Sequence, residues 1–171
     1  MNSPLIMPVP GDTPWKEIPS FRRIDPSLEQ VRARIGRSLA AHSPEPVLTS
    51  LIDHLQAGSG KMLRPGMVLL AGECLGPLRE EHVQVAAMVE MIHHATLLHD
   101  DVIDDGHRRR GVPTVNCLWG NESAVLLGDF VLSQVFRLAA EIDAGVAKIL
   151  AQTAARSEER RVGKECTIQC R

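Results

Sequence analysis

Aromatic residues are scarce in this sequence: Phe and Trp together make up 3% of its 171 residues, and tyrosine is missing. Aliphatic side chains and alanine must therefore fill most of the core, which suits helix-on-helix packing better than a β-sandwich. Hydrophobic residues make up 44% of the chain and charged residues 23%, which is typical of a globular protein with one buried core.

Cysteine pairs that would indicate a disulfide framework or a zinc site are also missing. The four cysteines form no C-x-x-C motif (Cys74, Cys117, Cys166 and Cys170). A formal net charge of -2 excludes a global basic field for nucleic acid. No apolar run approaches the roughly 20 residues that span a bilayer, and the N-terminus lacks the basic start of a secretory signal. We therefore expect a cytoplasmic protein with no transmembrane segment.

Prolines concentrate at the N-terminus, where residues 1–26 hold six of the eleven, and we expect a mobile Pro-rich leader there. From Ser27 to Ala155, apolar residues recur at helical spacing and glycine or proline separates the segments. No segment alternates with period two for long enough to form a strand. The sequence therefore predicts an all-α, antiparallel helix bundle. We expect helices over about 27–43, 46–55, 61–76, 80–105, 122–141 and 144–155.

The C-terminal segment, residues 156–171, differs from the rest of the chain. A run of charged residues ends the apolar stripe of the preceding helix, as in a solvated helix end or a disordered tail. Beginning at Arg156, however, eleven consecutive residues resemble the conceptual translation of a short-read sequencing adaptor. We therefore favour a foreign origin for this tail and exclude it from the fold prediction.

Four aspartates lie at the end of the longest predicted helix. Residues four apart share one helix face, so Asp100 and Asp104 lie on one stripe and Asp101 and Asp105 on the stripe beside it. Like charges at this spacing repel by about 0.2–0.5 kcal/mol per pair, and the helix dipole adds to the penalty. A divalent cation would offset this crowding, and Mg²⁺ suits such carboxylates when a phosphate supplies the remaining ligands. A solvated acidic helix end is the alternative, but the apolar flanking residues favour a metal site.

Two basic segments could complete such a site. Directly after the aspartates, Arg108, Arg109 and Arg110 lie in a predicted loop, where their guanidinium groups can bind a diphosphate or pair with the acids. Upstream, Lys61 and Arg64 lie where a glycine-rich loop enters a helix, and backbone N–H groups favour anions there. This second segment is not a P-loop, because a methionine follows the lysine.

In order along the chain, four motifs resemble the trans-isoprenyl (polyprenyl) diphosphate synthase family: G-K-x-L-R-P, E-M-I-H-x-A-x-L-L-H-D-D-x-x-D, R-R-G-x-P-T and L-L-G-D-F. The resemblance covers about residues 27–155, roughly the first half of such an enzyme, and implies a helix bundle of the isoprenoid synthase type. It also implies a prenyltransferase that condenses isopentenyl diphosphate with an allylic diphosphate, uses Mg²⁺ and forms a homodimer at full length.

The resemblance implies roles for individual acids. Asp100 and Asp104 resemble the magnesium ligands of the first aspartate-rich motif, and Asp101 is its middle acid, so all three are expected to be catalytic. Just before this motif, Ala95 and Thr96 are small, which in this family points to a product longer than farnesyl.

The resemblance also implies which side chains bind the two substrates. Arg109 resembles the residue that faces the allylic diphosphate, whereas Arg108 precedes the family's arginine pair and remains unassigned. Four other side chains resemble the contacts of isopentenyl diphosphate: Lys61, Arg64, His93 and Arg110.

The sequence lacks the family's second aspartate-rich motif. We therefore expect the chain of residues 1–171 to be inactive or poorly folded by itself, although its parent is an enzyme. Two alternatives remain open. His93 and the His99-Asp100 dipeptide also match ligands of a His-Asp type metal-dependent phosphohydrolase, but that class leaves the basic motifs unexplained. A non-catalytic subunit of a heteromeric synthase would keep the fold, but such a subunit loses the acids.

Overall fold

The computed structural model describes residues 18–40, 45–58 and 60–169, with side chains described as far as residue 156. Within these ranges the chain forms seven α-helices and one short hairpin. The helices are α1 Pro19–Ala40, α2 Pro46–Ala57, α3 Leu63–Leu75, α4 Glu80–Ile103, α5 Val115–Trp119, α6 Asn121–Ile142 and α7 Ala144–Gln169. The hairpin strands are β1 Arg108–Arg109 and β2 Val112–Pro113. The predicted all-α bundle is confirmed.

The central helix is α4, which packs against α6, α3 and α1. Several of its buried side chains are small or flexible, which lets neighbouring helices approach closely (Ala86, Ala87, Met88, Met91 and Ala95). Because partners surround α4 on several sides, its orientation is fixed by the core. The C-terminal end of α4 therefore holds the aspartates at a defined position in the bundle.

The first helix begins at Pro19 rather than at the predicted Ser27, so the expected leader is corrected to helix from residue 19 onward. A proline at the start of a helix loses no intrahelical hydrogen bond, and Pro26 inside the helix removes only one. Burial of Ile24 in the core offsets this loss. Residues 1–17 of the predicted leader lie outside the described residues.

Two C-terminal elements also differ from the prediction. The five-residue helix α5 was not predicted, because its segment is too short to show helical periodicity. The last helix, α7, does not end near residue 155 but continues to Gln169. Arg, Glu and Lys in this segment are strong helix formers, which accounts for the continuation without any apolar stripe. The predicted end of the first helix near residue 43 lies outside the described ranges.

By length and composition, α6 could cross a membrane, which the sequence prediction did not anticipate. One face of α6 is nevertheless buried in the bundle, where Leu127, Val131 and Leu138 belong to the core. Its most extensive packing is against α4. Burial of one face against other helices is the pattern of a core helix in a globular protein.

Candidate active site

The aspartate motif lies where α4 ends. The helix stops at Ile103, two residues before the predicted end, so Asp104 is the C-cap residue. The backbone N–H of Asp104 donates to the carbonyl oxygen of Asp100 over 2.8 Å, which preserves the one-turn spacing of these two residues. The side chain of Asp104 is exposed, whereas Asp100 and Asp101 are partly buried.

The middle acid of the motif binds an arginine of the hairpin. Nη2 of Arg109 donates to Oδ1 of Asp101 over 2.7 Å, and Nε of Arg109 lies 3.2 and 3.3 Å from the two carboxylate oxygens. This hydrogen bonding raises the pKa of Arg109, and the charges of Asp100 and Asp104 act in the same direction. The charges of three acids therefore favour the protonated form of Arg109. This is the intramolecular pairing that the sequence offered as an alternative to diphosphate binding.

The segment predicted as a loop forms a two-residue hairpin, with Arg108 paired to Pro113 and Arg109 to Val112. Its central residues, Arg110 and Gly111, have φ angles of 53° and 83°, and a type I′ turn requires positive φ at both positions. Arg108 donates to the carbonyl oxygen of Gly111 over 3.1 Å and so closes the hairpin on itself.

Polar side chains fasten this hairpin to the helix end. The hydroxyl of Thr114 donates to the carbonyl oxygen of Gly106 over 2.7 Å. The side-chain amide of Asn116 donates to the carbonyl oxygens of Asp101 and Gly106 over 3.2 and 3.1 Å. In addition, His54 of α2 lies 2.9 Å from the carbonyl oxygen of Pro113. Neither Asn116 nor His54 is predicted from the sequence, because a single polar residue gives no signal until the fold shows its neighbours.

A second basic group forms on the other side of the hairpin. Nη1 of Arg110 lies 3.5 Å from the carbonyl oxygen of Gly58, in the loop that leads to Lys61. Arg64 and Arg110 both act electrostatically on His93 of α4. The structure therefore brings Arg64, Arg110 and His93 into one region, and Lys61 is exposed at the edge of the same loop.

Two buried titratable side chains lie behind this basic group. Burial raises the pKa of the Glu90 carboxyl, while the charges of Arg64 and Arg110 act in the opposite direction. Burial lowers the pKa of His94 to about 4, and His93 and Arg110 contribute in the same direction. Nε2 of His94 lies 3.7 Å from Oε1 of Glu90, so at neutral pH this contact joins a carboxyl group to an uncharged imidazole. Burial and nearby arginines also lower the pKa of His93.

Backbone strain is concentrated at this site. Among the described residues, the non-glycine residues with positive φ are Met62, Asp105 and Arg110. Met62 lies between the predicted substrate contacts of the upstream loop, Asp105 follows the aspartate motif, and Arg110 is at the hairpin tip. Left-handed backbone at a non-glycine residue costs about 1–2 kcal/mol and persists where the surrounding structure enforces it, most often at functional sites.

The donor set fits part of a magnesium site. In the described ranges, no group of three or more His, Cys, Asp or Glu side chains is placed to hold a metal ion. Asp100 and Asp104 nevertheless present carboxyl groups one helical turn apart. Mg²⁺ is commonly bound by one or two carboxylates, with phosphate oxygens and water as the other ligands. Two acids of this kind are therefore sufficient when a diphosphate completes the coordination.

Comparisons with known proteins identify relatives of this chain. The chain is 44% identical over 98 residues to an all-trans-nonaprenyl-diphosphate synthase (geranyl-diphosphate specific) of Rhodobacter capsulatus, covering 57% of this chain and 30% of that protein. It is 40% identical over 97 residues to the octaprenyl diphosphate synthase of Escherichia coli, with the same coverage of both chains. The chain thus spans about a third of the length of these relatives.

Solved structures share the fold. A decaprenyl diphosphate synthase from Rhodobacter capsulatus superposes with a TM-score of 0.77 at 37% identity, over 84% of this chain and 44% of that chain. A polyprenyl synthase from Caulobacter crescentus, complexed with calcium and isoprenyl diphosphate, gives a TM-score of 0.78 at 34% identity, over 84% and 43%. None of these relatives supports the phosphohydrolase or non-catalytic alternatives.

The sequence profile described as polyprenyl synthetase matches residues 45–162. This match includes every residue that the motifs singled out and extends a short way beyond Arg156, where the foreign-looking tail was predicted to begin. The origin of that tail stays a prediction. The chain belongs to the polyprenyl synthetase family.

Proposed function

We propose that this chain contributes the first aspartate-rich motif and two basic subsites to a trans-polyprenyl diphosphate synthase. One observation carries the proposal: the acids at the end of α4 have Arg109 directly beside them and a separate group of cationic side chains across the hairpin. A single site with two basic groups suits a reaction between two diphosphate substrates. We propose isopentenyl diphosphate and an allylic diphosphate as these substrates.

The proposed binding roles follow from position. Asp100 and Asp104 would hold Mg²⁺, which when bound supplies positive charge that stabilises the departing diphosphate. Arg109 binds the allylic diphosphate by exchanging its contact with Asp101 for phosphate oxygens. The diphosphate of isopentenyl diphosphate is held by the second basic group: Lys61, Arg64, Arg110 and His93.

The proposed chemistry is a condensation between the two bound substrates. The allylic C–O bond breaks and the diphosphate leaves with the bonding electrons. The double bond of isopentenyl diphosphate then attacks the allylic carbon, and the resulting cation loses a proton to the released diphosphate, which restores a double bond. Apolar side chains of the helices keep water away from the cationic carbon, so that it reacts with the alkene instead.

Properties of the relatives support the substrates and the cofactor. The crystal structure of the Caulobacter enzyme is a complex with calcium and isoprenyl diphosphate, and a divalent cation and a prenyl diphosphate are the ligand types proposed here. Several relatives are named for long products, nonaprenyl and octaprenyl among them. A product longer than farnesyl accords with these names and with the small Ala95, which is fully buried in α4.

Oligomeric state and location are parts of the same proposal. We propose a homodimer at full length, because α6 leaves Leu126 and Phe136 exposed on a helix whose other face is buried, and apolar surface of this kind favours association. Sedimentation velocity of a full-length enzyme that carries this region would give its mass. We propose the cytoplasm as the location.

A chimeric enzyme tests the proposed activity. Residues 45–155 of this chain would replace the matching region of the Escherichia coli octaprenyl diphosphate synthase, and incorporation of labelled isopentenyl diphosphate would be measured with and without Mg²⁺. We expect magnesium-dependent prenyl transfer, and Asp100→Asn with Asp104→Asn should lower its rate by at least about 100-fold. A folded chimera that releases phosphate from nucleotides but transfers no prenyl group would contradict the proposal.

The chain of residues 1–171 by itself provides a second measurement. Because it carries one of the family's two aspartate-rich motifs, we expect the purified protein of residues 1–171 to incorporate no isopentenyl diphosphate. Magnesium-dependent incorporation by this protein alone would refute the expectation that the second motif is required.

A further inference from the structure

The backbone of Gly60 lies directly against the guanidinium group of Arg110. A Cβ atom added at Gly60 would overlap Nη1 of Arg110 and would lie 2.8 Å from Nη2 and 2.9 Å from Cζ. Contacts below 3.0 Å are essentially never seen for real Cβ atoms. Any side chain at residue 60 would therefore occupy the space in which this guanidinium group lies.

The position of Arg110 is defined from several directions. Its backbone is held at a φ of 53° by the hairpin turn. Its Nη1 also reaches the carbonyl oxygen of Gly58. From this position its charge acts on Glu90, His93 and His94 of α4. The side chain thus joins the hairpin to the loop between α2 and α3 and faces α4.

Backbone conformation does not explain why residue 60 is glycine. Among the described glycines, those with positive φ are Gly76, Gly111 and Gly120, so Gly60 adopts a conformation that alanine also accepts. The physical reason for a glycine at residue 60 is therefore the space that the Arg110 guanidinium group occupies. Because the colliding atoms are the end of a flexible side chain, an alanine at this position would displace Arg110 without forcing the backbone to move.

We infer that Gly60 is a positioning residue, which forms the seat for the Arg110 guanidinium and so assembles one diphosphate-binding subsite from two segments that are distant in sequence. The inference rests on the proposed function only for the identity of the ligand, isopentenyl diphosphate. The loop that holds Gly60 continues into Lys61 and then Arg64. The seat therefore sets the distance between Arg110 and these two cations.

A first experiment tests the seat without any substrate. NMR titration of the purified chain of residues 1–171 would give the pKa of His93, which the charge of Arg110 lowers. Arg110→Ala should raise this pKa, Gly60→Ala should raise it similarly, and the double variant should show no further change. Gly58→Ala is the matched control, because its Cβ would lie 3.7 Å from the nearest atom at a φ of -80°. We expect it to leave the pKa of His93 unchanged.

Three results would overturn the inference. An unchanged pKa of His93 in Gly60→Ala, with a raised pKa in Arg110→Ala, would show that the seat does not hold the arginine. An unchanged pKa of His93 in both variants would show that Arg110 does not lie close enough to His93 to affect it. An equal change in Gly58→Ala would mean that any added methyl group in the loop has this effect. Urea unfolding of the same variants would show whether Gly60→Ala remains as stable as the wild type, as we expect.

A second experiment measures what the seat does for binding. Calorimetry with isopentenyl diphosphate and the chimeric enzyme should show that Gly60→Ala weakens affinity roughly tenfold, in line with the loss of one charge-assisted hydrogen bond. Arg110→Ala should weaken the affinity by the same factor, and the double variant should bind no more weakly than either single variant. Gly36→Ala on α1 is the control and should bind isopentenyl diphosphate as the wild type does. Wild-type affinity in Gly60→Ala would overturn the inference. If the wild-type chimera fails to bind isopentenyl diphosphate, the proposed function fails, and the NMR titration still decides whether Gly60 positions Arg110.

Discussion

Mild acid should destabilise this fold through His94. His94 is 7% exposed, and the imidazole of His93 and the guanidinium group of Arg110 both act on it electrostatically. Both the loss of water and the nearby positive charge oppose protonation, so the pKa of His94 is about 4 in the folded protein, against an ordinary value of 6.5. Unfolding returns the ring to water, where it binds a proton more readily.

The sign and the size of the effect follow from this difference. Between pH 6.5 and about 4 the unfolded chain binds the proton and the folded chain does not, so stability falls as the pH falls. One unit of pKa difference corresponds to about 1.4 kcal/mol, which gives a loss of about 2 kcal/mol between pH 7.5 and 5.0. The raised pKa of Glu90 acts in the opposite direction, because the folded chain takes up that proton more readily than the unfolded chain.

Urea unfolding followed by far-UV circular dichroism would measure this effect at the two pH values. The free energy of unfolding of the wild type should fall by about 2 kcal/mol more than that of His94→Gln. The comparison is best made in a Glu90→Gln background, which removes the opposing titration. His107→Gln is a suitable control, because the side chain of His107 is 70% exposed and should leave the pH dependence as it is. Equal pH dependence in the wild type and His94→Gln would refute the argument.

Three further substitutions test packing and backbone at the site. Gly128→Ala should destabilise the protein by about 1–3 kcal/mol in urea unfolding, because the new Cβ would lie 2.6 Å from Cδ2 of His99; wild-type stability would contradict this packing. Asn116→Ala should lower the free energy of unfolding by about 0.5–1.5 kcal/mol, since the carbonyl groups of Asp101 and Gly106 each lose one of their donors; an unchanged melting temperature would argue against that anchor. Asp105→Gly should stabilise by about 0.5–1 kcal/mol, because it relieves a φ of 50° and removes a negative charge at a helix C-terminus; any loss of stability would show that the Asp105 side chain is needed.

Features that depend on local spacing could be predicted from the sequence. The aspartate stripe requires only the 3.6-residue repeat, and the carbonyl oxygen of Asp100 does accept the N–H of Asp104. The boundaries of α3 at Leu63 and Leu75 likewise follow from a loop before it and the Gly-Pro stop after it. In both cases neighbouring residues alone determine the result.

Features that depend on tertiary contacts could not be predicted. The early start of α1 depends on burial of Ile24, which offsets a proline that argues for a leader. The seat at Gly60 requires a side chain that lies fifty positions further along the chain. The hairpin strands are two residues long, too short for alternation to show in the sequence.

The structure also distinguishes Asp101 from the other two acids of the motif by its ion pair with Arg109. Sequence spacing places Asp101 on a stripe beside that of Asp100 and Asp104, and in the fold Asp101 faces the hairpin, where it binds Arg109 through both carboxylate oxygens. An acid held in this way neutralises part of the arginine's charge and fixes its distance from the helix end. The other two acids keep the one-turn arrangement that suits a cation. Asp101 therefore holds the guanidinium group of Arg109 at the end of α4 until a diphosphate takes its place, and we propose it as a positioning acid beside the two proposed metal ligands.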